Sequence, residues 1–445
     1  MSDVRELAAR AAFAAHPARP SRPYGLLRES QWWGRDRLDA LQARALGQVL
    51  EAASRVPFYR DRMRAAGLAP GELRLPEALA ELPPLERDEL QRLGVEGLRV
   101  PGRHGLHSSS SGSTGKPVEA LWPREMIAWF EADERRCNEW LGVRHGERRL
   151  WLAASPSTAL LRRRIATALG NVTLVPSATL ADPAVVRALA DSFERRGVSL
   201  VWGQSNALYA LASGLLAAGR RIRARACWSE GNHLPGFYRE PIEEALRCRV
   251  HERYGAWETG MLAHECPEGH SFHLSAESVL VELVRDDGRP AAPGELGHVL
   301  VTQLRNRAMP LLRYRIGDLA VAPASDTCSC GRGLPVLERL VGRSNELLRA
   351  TGGGLVLPEL VSAVMTGARA SVVEFQVEQH ADLHVDVRLV QREEPAPERY
   401  RAQVAAGIDA LIGVAGGTCV ERVDSIPLTG AGKLRHIVSN AGGGR

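Results

Sequence analysis

The run Ser110-Ser111-Gly112-Ser113-Thr114-Gly115-Lys116 is the part of this chain best equipped for chemistry. Its hydroxyls and glycines let backbone N–H groups and side-chain oxygens converge on phosphate oxygens, and the lysine adds a mobile positive charge. A Gly/Ser linker has a similar composition, but this run ends in Lys116-Pro117, and lysine is scarce. Of the 57 basic residues only Lys116 and Lys433 are lysine. An ammonium is a compact point charge and a guanidinium a broad planar fork, so a tight oxygen-lined site tells them apart. A Walker A loop fails on spacing, because Ser110 stands where its first glycine belongs and Pro117 follows the lysine.

Other residues invite specific chemistry. Glu258 can hold Mg2+, which takes one or two carboxylates together with phosphate oxygens; read alone, it is a surface acid. Asp318 follows an Ile-Gly turn, as a binding carboxylate or a turn cap. Cys266, His270, His273, Cys328 and Cys330 offer the four N/S ligands of a closed, structural Zn2+ site, with free loop thiols as the alternative.

These residues fall in blocks that resemble a known family. The loop is similar to the phosphate loop of the adenylate-forming superfamily of acyl-CoA synthetases, nonribosomal adenylation domains and luciferases. Tyr254-Gly255-Ala256-Trp257-Glu258, Arg313-Tyr314-Arg315-Ile316-Gly317-Asp318, Gly342-Arg343 and Pro427-Leu428-Thr429-Gly430-Ala431-Gly432-Lys433 follow in that family's order. VPFYRDRM near Val56, CSCGR at Cys328 and GRSNELL at Gly342 resemble the phenylacetate-CoA ligase-like and capsule-biosynthesis-like branch.

The resemblance implies ATP-dependent adenylation of a carboxylic acid, release of pyrophosphate and transfer of the acyl group to coenzyme A. It implies Lys433 and Glu258 as catalytic, with Glu258 on Mg2+. The ATP site would comprise the loop from Ser110 to Lys116 with Gly231, Tyr254 and Gly255, Asp318 on the ribose, and Arg343 beside an interdomain hinge. His273 matches the branch's zinc ligand better than His270. An amine or other acceptor in place of CoA, and a catalytically silent nucleotide-binding protein, stay open beside this reading.

Three departures bear on the acyl group, the adenine contacts and the acceptor. Trp257 replaces the usual Thr or Ser before the glutamate, which narrows the acid pocket or stacks on an aromatic acid. Trp202 is the second pocket candidate, with a core role as the alternative. Ser229-Glu230-Gly231-Asn232 displaces the family's glycine and acid, and Asn345-Glu346 replaces the hinge aspartates of CoA ligases.

The elements that must position these residues follow from periodicity. From Arg149 onward, short apolar runs alternate with helical patterns, which predicts βαβ units and parallel sheets flanked by helices. Asp182-Pro183 is an N-cap and first-turn pair. ESVLVELV and GHVLVTQL alternate apolar and polar residues around turn signals, predicting a small antiparallel β subdomain at about 277–341. The fold class is thus α/β, with an N-terminal adenylation domain over 1–341 and a small mobile α+β lid over 342–445. Leu38 to Leu68 reads as helical.

Composition sets limits. The 44% hydrophobic and 24% charged content is that of a globular protein. A net charge of +5 without a long basic run disfavours nucleic acid as partner. The N-terminus lacks the uninterrupted apolar segment of a signal peptide or membrane helix, which leads to a cytoplasmic expectation with no membrane partner. Seven cysteines, an odd count, favour reduced thiols or a metal. Self-association as a homodimer completes the expected partners.

Overall fold

Pro57 decides the first feature of the fold. The stretch expected to be helical from Leu38 to Leu68 divides there into α2 (Arg35–Ala53) and α3 (Pro57–Ala65), after α1 (Ser21–Ser30). Proline lacks an N–H and its ring bars the residue before it from helical geometry; Val56 is extended, at φ −94°. The computed structural model describes residues 18–68, 79–109, 117–153, 170–269, 271–365, 372–391, 398–427 and 434–441, with residues 11, 13, 16 and 429. After α3 comes α4 (Arg87–Leu98), opened by a reciprocal capping box between Glu86 and Glu89. The antiparallel pair β1 (Leu106–Ser109) and β2 (Glu119–Trp122) then flanks the phosphate-loop sequence, and α5 (Arg124–Trp140) follows.

The predicted strand and helix alternation is present. It comprises β3 (Arg149–Ala153), β4 (Val172–Pro176), α6 (Pro183–Arg196), β5 (Val198–Gly203), α7 (Ser205–Ala217), β6 (Ala224–Glu230), α8 (Gly236–Leu246) and β7 (Val250–Ala256). Asp182 caps α6 by accepting from the Ala184 N–H at 2.8 Å, with Pro183 at the first helical position. Of the helical patterns in this region, TALLRRRIATALG lies almost wholly outside the described residues.

β3 to β7 are mutually parallel, as alternating βαβ units require. β8 (Gly260–Glu265) and β9 (Phe272–Leu274) extend that sheet antiparallel. β10 (Val279–Val284), β11 (Leu296–Gln303) and β12 (Tyr314–Val321) build a separate antiparallel sheet, to which β14 (Arg339–Arg343) adds an edge. Between them β13 (Val336–Leu337) returns to the large sheet and pairs with β9, so the eight-stranded order is β13-β9-β8-β7-β6-β5-β3-β4.

The last elements are β15 (Leu348–Arg349), β16 (Leu355–Val356), α9 (Pro358–Met365), β17 (Val372–Gln379), β18 (Val385–Gln391), α10 (Glu398–Ile412), β19 (Thr418–Val423) and β20 (Ile437–Ser439). Four of them form a mixed sheet in the order β19-β18-β17-β20.

Cores follow these layers. α6, α7 and α8 bury one face of the large sheet, and the same apolar cluster runs on into α9, α10 and the C-terminal sheet through Phe237, Phe375 and Tyr209. α2 and α3 pack with the antiparallel sheet. Among the described residues no helix is long and apolar enough to cross a membrane.

Candidate active site

In open sheets of parallel strands, ligands bind beyond the carboxyl ends of the strands. Here that edge carries Gly231 directly after β6 and the sequence Tyr254 to Glu258 at the end of β7. Gly255 is required by close approach, since a Cβ there would lie 2.7 Å from the Gly260 carbonyl oxygen across the β7–β8 turn.

Two clusters meet at this edge. In the first, the Tyr254 hydroxyl donates to Asp318 Oδ2 at 2.8 Å, and Arg343 Nε lies 3.8 Å from Asp318 Oδ1. Asp318 and Arg343 are register partners on β12 and β14, so the sheet itself sets their spacing. Burial, with Asp318 beside it, pushes the Tyr254 phenol well above its ordinary value, and the tyrosine stays a donor. Burial works against the charge on Arg343, but Asp318 and Glu346 outweigh it and raise its pKa.

In the second, Glu258 is only 3% exposed. Its Oε1 accepts from the Tyr314 hydroxyl at 2.9 Å and lies 3.5 Å from Arg87 Nη1, which is itself 3.3 Å from that hydroxyl. The strand pair of Leu85 with Tyr314, fixed by Leu85 N to Arg313 O at 3.1 Å and Arg315 N to Leu85 O at 3.0 Å, docks the start of α4 here. A surface-acid reading of Glu258 therefore does not hold. A carboxylate this buried, with one hydroxyl and one guanidinium on the same oxygen, retains acceptor capacity for a hard cation.

The other expected residues are placed unevenly. Ser110 to Lys116, His270 and Lys433 lie outside the described residues. Trp257 is 55% exposed, and its carbonyl accepts from the Trp122 indole at 2.8 Å. Trp202 is buried, its ring stacked on Trp151 with centroids 5.8 Å apart. Two site residues escaped the sequence reading. Tyr314 could have been found, because it stands four residues before Asp318 on one strand and alternate residues share a face. Arg87 carried no signal, since only the docking of a distant segment brings it to Glu258.

Away from this edge, Cys266, His273, Cys328 and Cys330 converge, with one ligand atom from each within 4.8 Å of the others. His273 Nε2 is 3.2 Å from Cys330 Sγ, and Cys328 Sγ is 3.6 Å from Cys266 Sγ. Tetrahedral Zn–S bonds of about 2.3 Å imply sulfur separations of roughly 3.8 Å, so the donor set fits zinc. β9 supplies His273, the end of β8 supplies Cys266, and the loop before β13 supplies the other two. That loop is clamped to the N-terminal helices, since Gly333 N donates to Gln31 O at 2.8 Å and a Cβ on Gly333 would lie 1.8 Å from Trp33 O.

Asp133, Cys137 and His264 also lie close together, fully buried. Arg136, 2.5 Å from Asp133 and 2.7 Å from Glu277, supplies the cation there, and Ser275 donates to Asp133 at 2.6 Å. This network ties α5 to the strands beneath it.

No protein-family model matches the chain. It is 26% identical over 371 residues to the phenylacetate-coenzyme A ligase of Thermus thermophilus, covering 77% of this chain and 78% of that one. It is 24% identical over 430 residues to the Escherichia coli phenylacetate-coenzyme A ligase, covering 88% and 92%. Among solved structures, 2-hydroxyisobutyryl-CoA ligase in the postadenylation state, bound to 2-HIB-AMP, superposes with a TM-score of 0.76 at 18% identity over 93% of this chain and 92% of that one.

Proposed function

We propose that this chain is an ATP-dependent ligase of the adenylate-forming superfamily, in its phenylacetate-CoA ligase-like branch, and that it activates an aromatic carboxylic acid and passes the acyl group to coenzyme A. In the first half-reaction a carboxylate oxygen attacks the α-phosphorus of ATP, forming the acyl-adenylate as the α–β phosphoanhydride breaks and pyrophosphate leaves. In the second, the CoA sulfur attacks the acyl carbon, the acyl–phosphate bond breaks, and AMP is released.

The observation that carries this reading is the pair of clusters at one sheet edge. Asp318, held by Tyr254 and faced by Arg343, offers two carboxylate oxygens to the ribose hydroxyls. Glu258, on the neighbouring turn, supplies the buried carboxylate for Mg2+, which neutralises triphosphate charge when bound. Attack by one anion on another builds negative charge, and a positioned cation lowers that barrier by about 3–4 kcal/mol in favourable cases. By its place in the family's last block Lys433 is that cation, and the loop from Ser110 to Lys116 holds the phosphates.

Residues 342–445 form the lid in this reading, and the segment after Arg343 is the hinge about which it turns between half-reactions. Zinc on Cys266, His273, Cys328 and Cys330 is structural, because four protein ligands leave no position for water.

The test is product analysis with a panel of acids, ATP and Mg2+, with and without CoA. Acid-dependent AMP and pyrophosphate, with an acyl-CoA only when CoA is added, supports the reading. Formation of an amide with an added amine and no thioester replaces CoA with an amine acceptor.

A further inference from the structure

Rings hold the seam between α7 and α8 on one side and the C-terminal sheet on the other. Tyr238 of α8 stacks on Tyr209 of α7 with centroids 4.0 Å apart and an interplanar angle of 9°. Phe237 meets Phe375 of β17 at 5.2 Å, and His436, just before β20, lies 5.3 Å from the Tyr238 ring. The Tyr209 hydroxyl crosses the seam and donates to the Val372 carbonyl oxygen at 3.3 Å.

Other polar atoms along the seam are buried without a hydrogen bond. Tyr238 Oη and His233 Nε2 on the N-terminal side, with Glu359 Oε2 and His436 Nε2 on the C-terminal side, have no partner. Glu359 and Glu346 face His233, and Glu374 stands near the Tyr238 phenol without accepting from it. Native structures leave few buried polar groups unmet, and an interface built to stay shut would pair these or replace them with carbon. Each of them regains water when the two sides part, so the ring contacts are opposed by a desolvation cost that opening removes.

The docked arrangement also has a place in the chemistry. Arg435, two residues after Lys433 in sequence, faces Glu346, as do Arg343 and Asp318, and its carbonyl oxygen accepts from Gln376 Nε2 at 3.0 Å. The chain that follows Lys433 is therefore held beside the first of the two clusters, as adenylation requires. Resting on the reading of residues 342–445 as a lid, we propose that this seam is the latch that holds the lid for adenylation, and that Tyr238 is its positioning residue: the unbonded hydroxyl keeps the docked lid near balance, so that it releases for transfer to CoA.

Two variants carry the test, because each deletes one tyrosine hydroxyl and nothing else. Tyr238→Phe removes an unmet group and tightens the seam, whereas Tyr209→Phe removes a bond across it and loosens the seam. Hydrogen exchange of the α8 and β17 amides reads the opening directly: it is expected to be about tenfold rarer in Tyr238→Phe and several-fold more frequent in Tyr209→Phe. Rapid-quench measurement with a panel of acids, ATP, Mg2+ and CoA should show Tyr238→Phe forming acyl-adenylate as fast as the unaltered enzyme and thioester about tenfold more slowly. Exchange that changes in the same direction in both variants, or in neither, overturns the proposal. So does a Tyr238→Phe enzyme that slows both half-reactions alike, which marks a packing role, or one that leaves thioester formation untouched. Exchange of the expected signs with adenylate from no acid leaves the latch standing and sinks the ligase reading.

Discussion

At the scale of single residues, the proposed adenylation turns on which charges face the nucleotide. Lys433→Ala is expected to lower acyl-adenylate formation by about 100-fold or more while ATP still binds, because the lost cation acts on charge that develops in the transition state. Stopped-flow or quench measurement of the adenylate, beside a nucleotide-binding titration, checks both halves. Asp318→Asn removes the charge that Tyr254 and Arg343 both address, and it should raise the KM for ATP roughly tenfold with less effect on kcat, as loss of one charged hydrogen bond implies. Steady-state kinetics at varied ATP decides it. Glu258 and Asp318 could be picked out from the sequence because each sits in a short block with fixed neighbours. The partners that hold them could not: Arg87 is 171 residues from Glu258, and no local pattern announces a contact made by docking α4 against β12. Trp202 and Trp257 show the same limit in another form, since an indole reads alike whether it ends stacked in a sheet face or 55% exposed.

At the scale of elements, alternation and turn chemistry carried much of the fold. The βαβ order, the Asp182 cap and the antiparallel strands around β10 and β11 follow from period and capping, which are local physics. Two features did not. Pro57 divides the N-terminal helix where the apolar spacing runs on, and β13 leaves the small sheet for β9, a pairing that two residues cannot encode by themselves. That pairing sets β13 beside the strand that carries His273, just downstream of Cys328 and Cys330. Metal analysis of the purified protein is expected to find one zinc per chain, and Cys328→Ser to lose it with a fall of several degrees in Tm, since a structural site contributes folding energy outright. An unaltered protein without zinc, or a variant that keeps both its zinc and its Tm, would contradict the ligand assignment.

At the scale of the molecule, the apolar core runs from α8 into the C-terminal sheet. Phe237 meets Phe375 at 5.2 Å, and His436 lies against Tyr238 at 5.3 Å and Phe375 at 4.9 Å. Burial lowers His436 to about 4 from an ordinary 6.5. The unfolded chain therefore binds this proton first as pH falls. The stability tied to His436 is present above pH 6.5 and is lost between 6.5 and about 4, on the order of 3 kcal/mol. Denaturant unfolding across that window should show the loss, and His436→Gln should flatten it relative to the unaltered chain. The same interface would have to rearrange for a lid to turn, so the residues that stabilise this arrangement also set the barrier to leaving it. The central claim, that the two clusters at the sheet edge serve adenylation, is tested most directly by exchange of labelled pyrophosphate into ATP without CoA. Exchange is expected to require both a carboxylic acid and Mg2+ and to be nearly abolished in Lys433→Ala; ATP binding with no acid-dependent exchange, or exchange untouched by that substitution, would contradict an adenylation role.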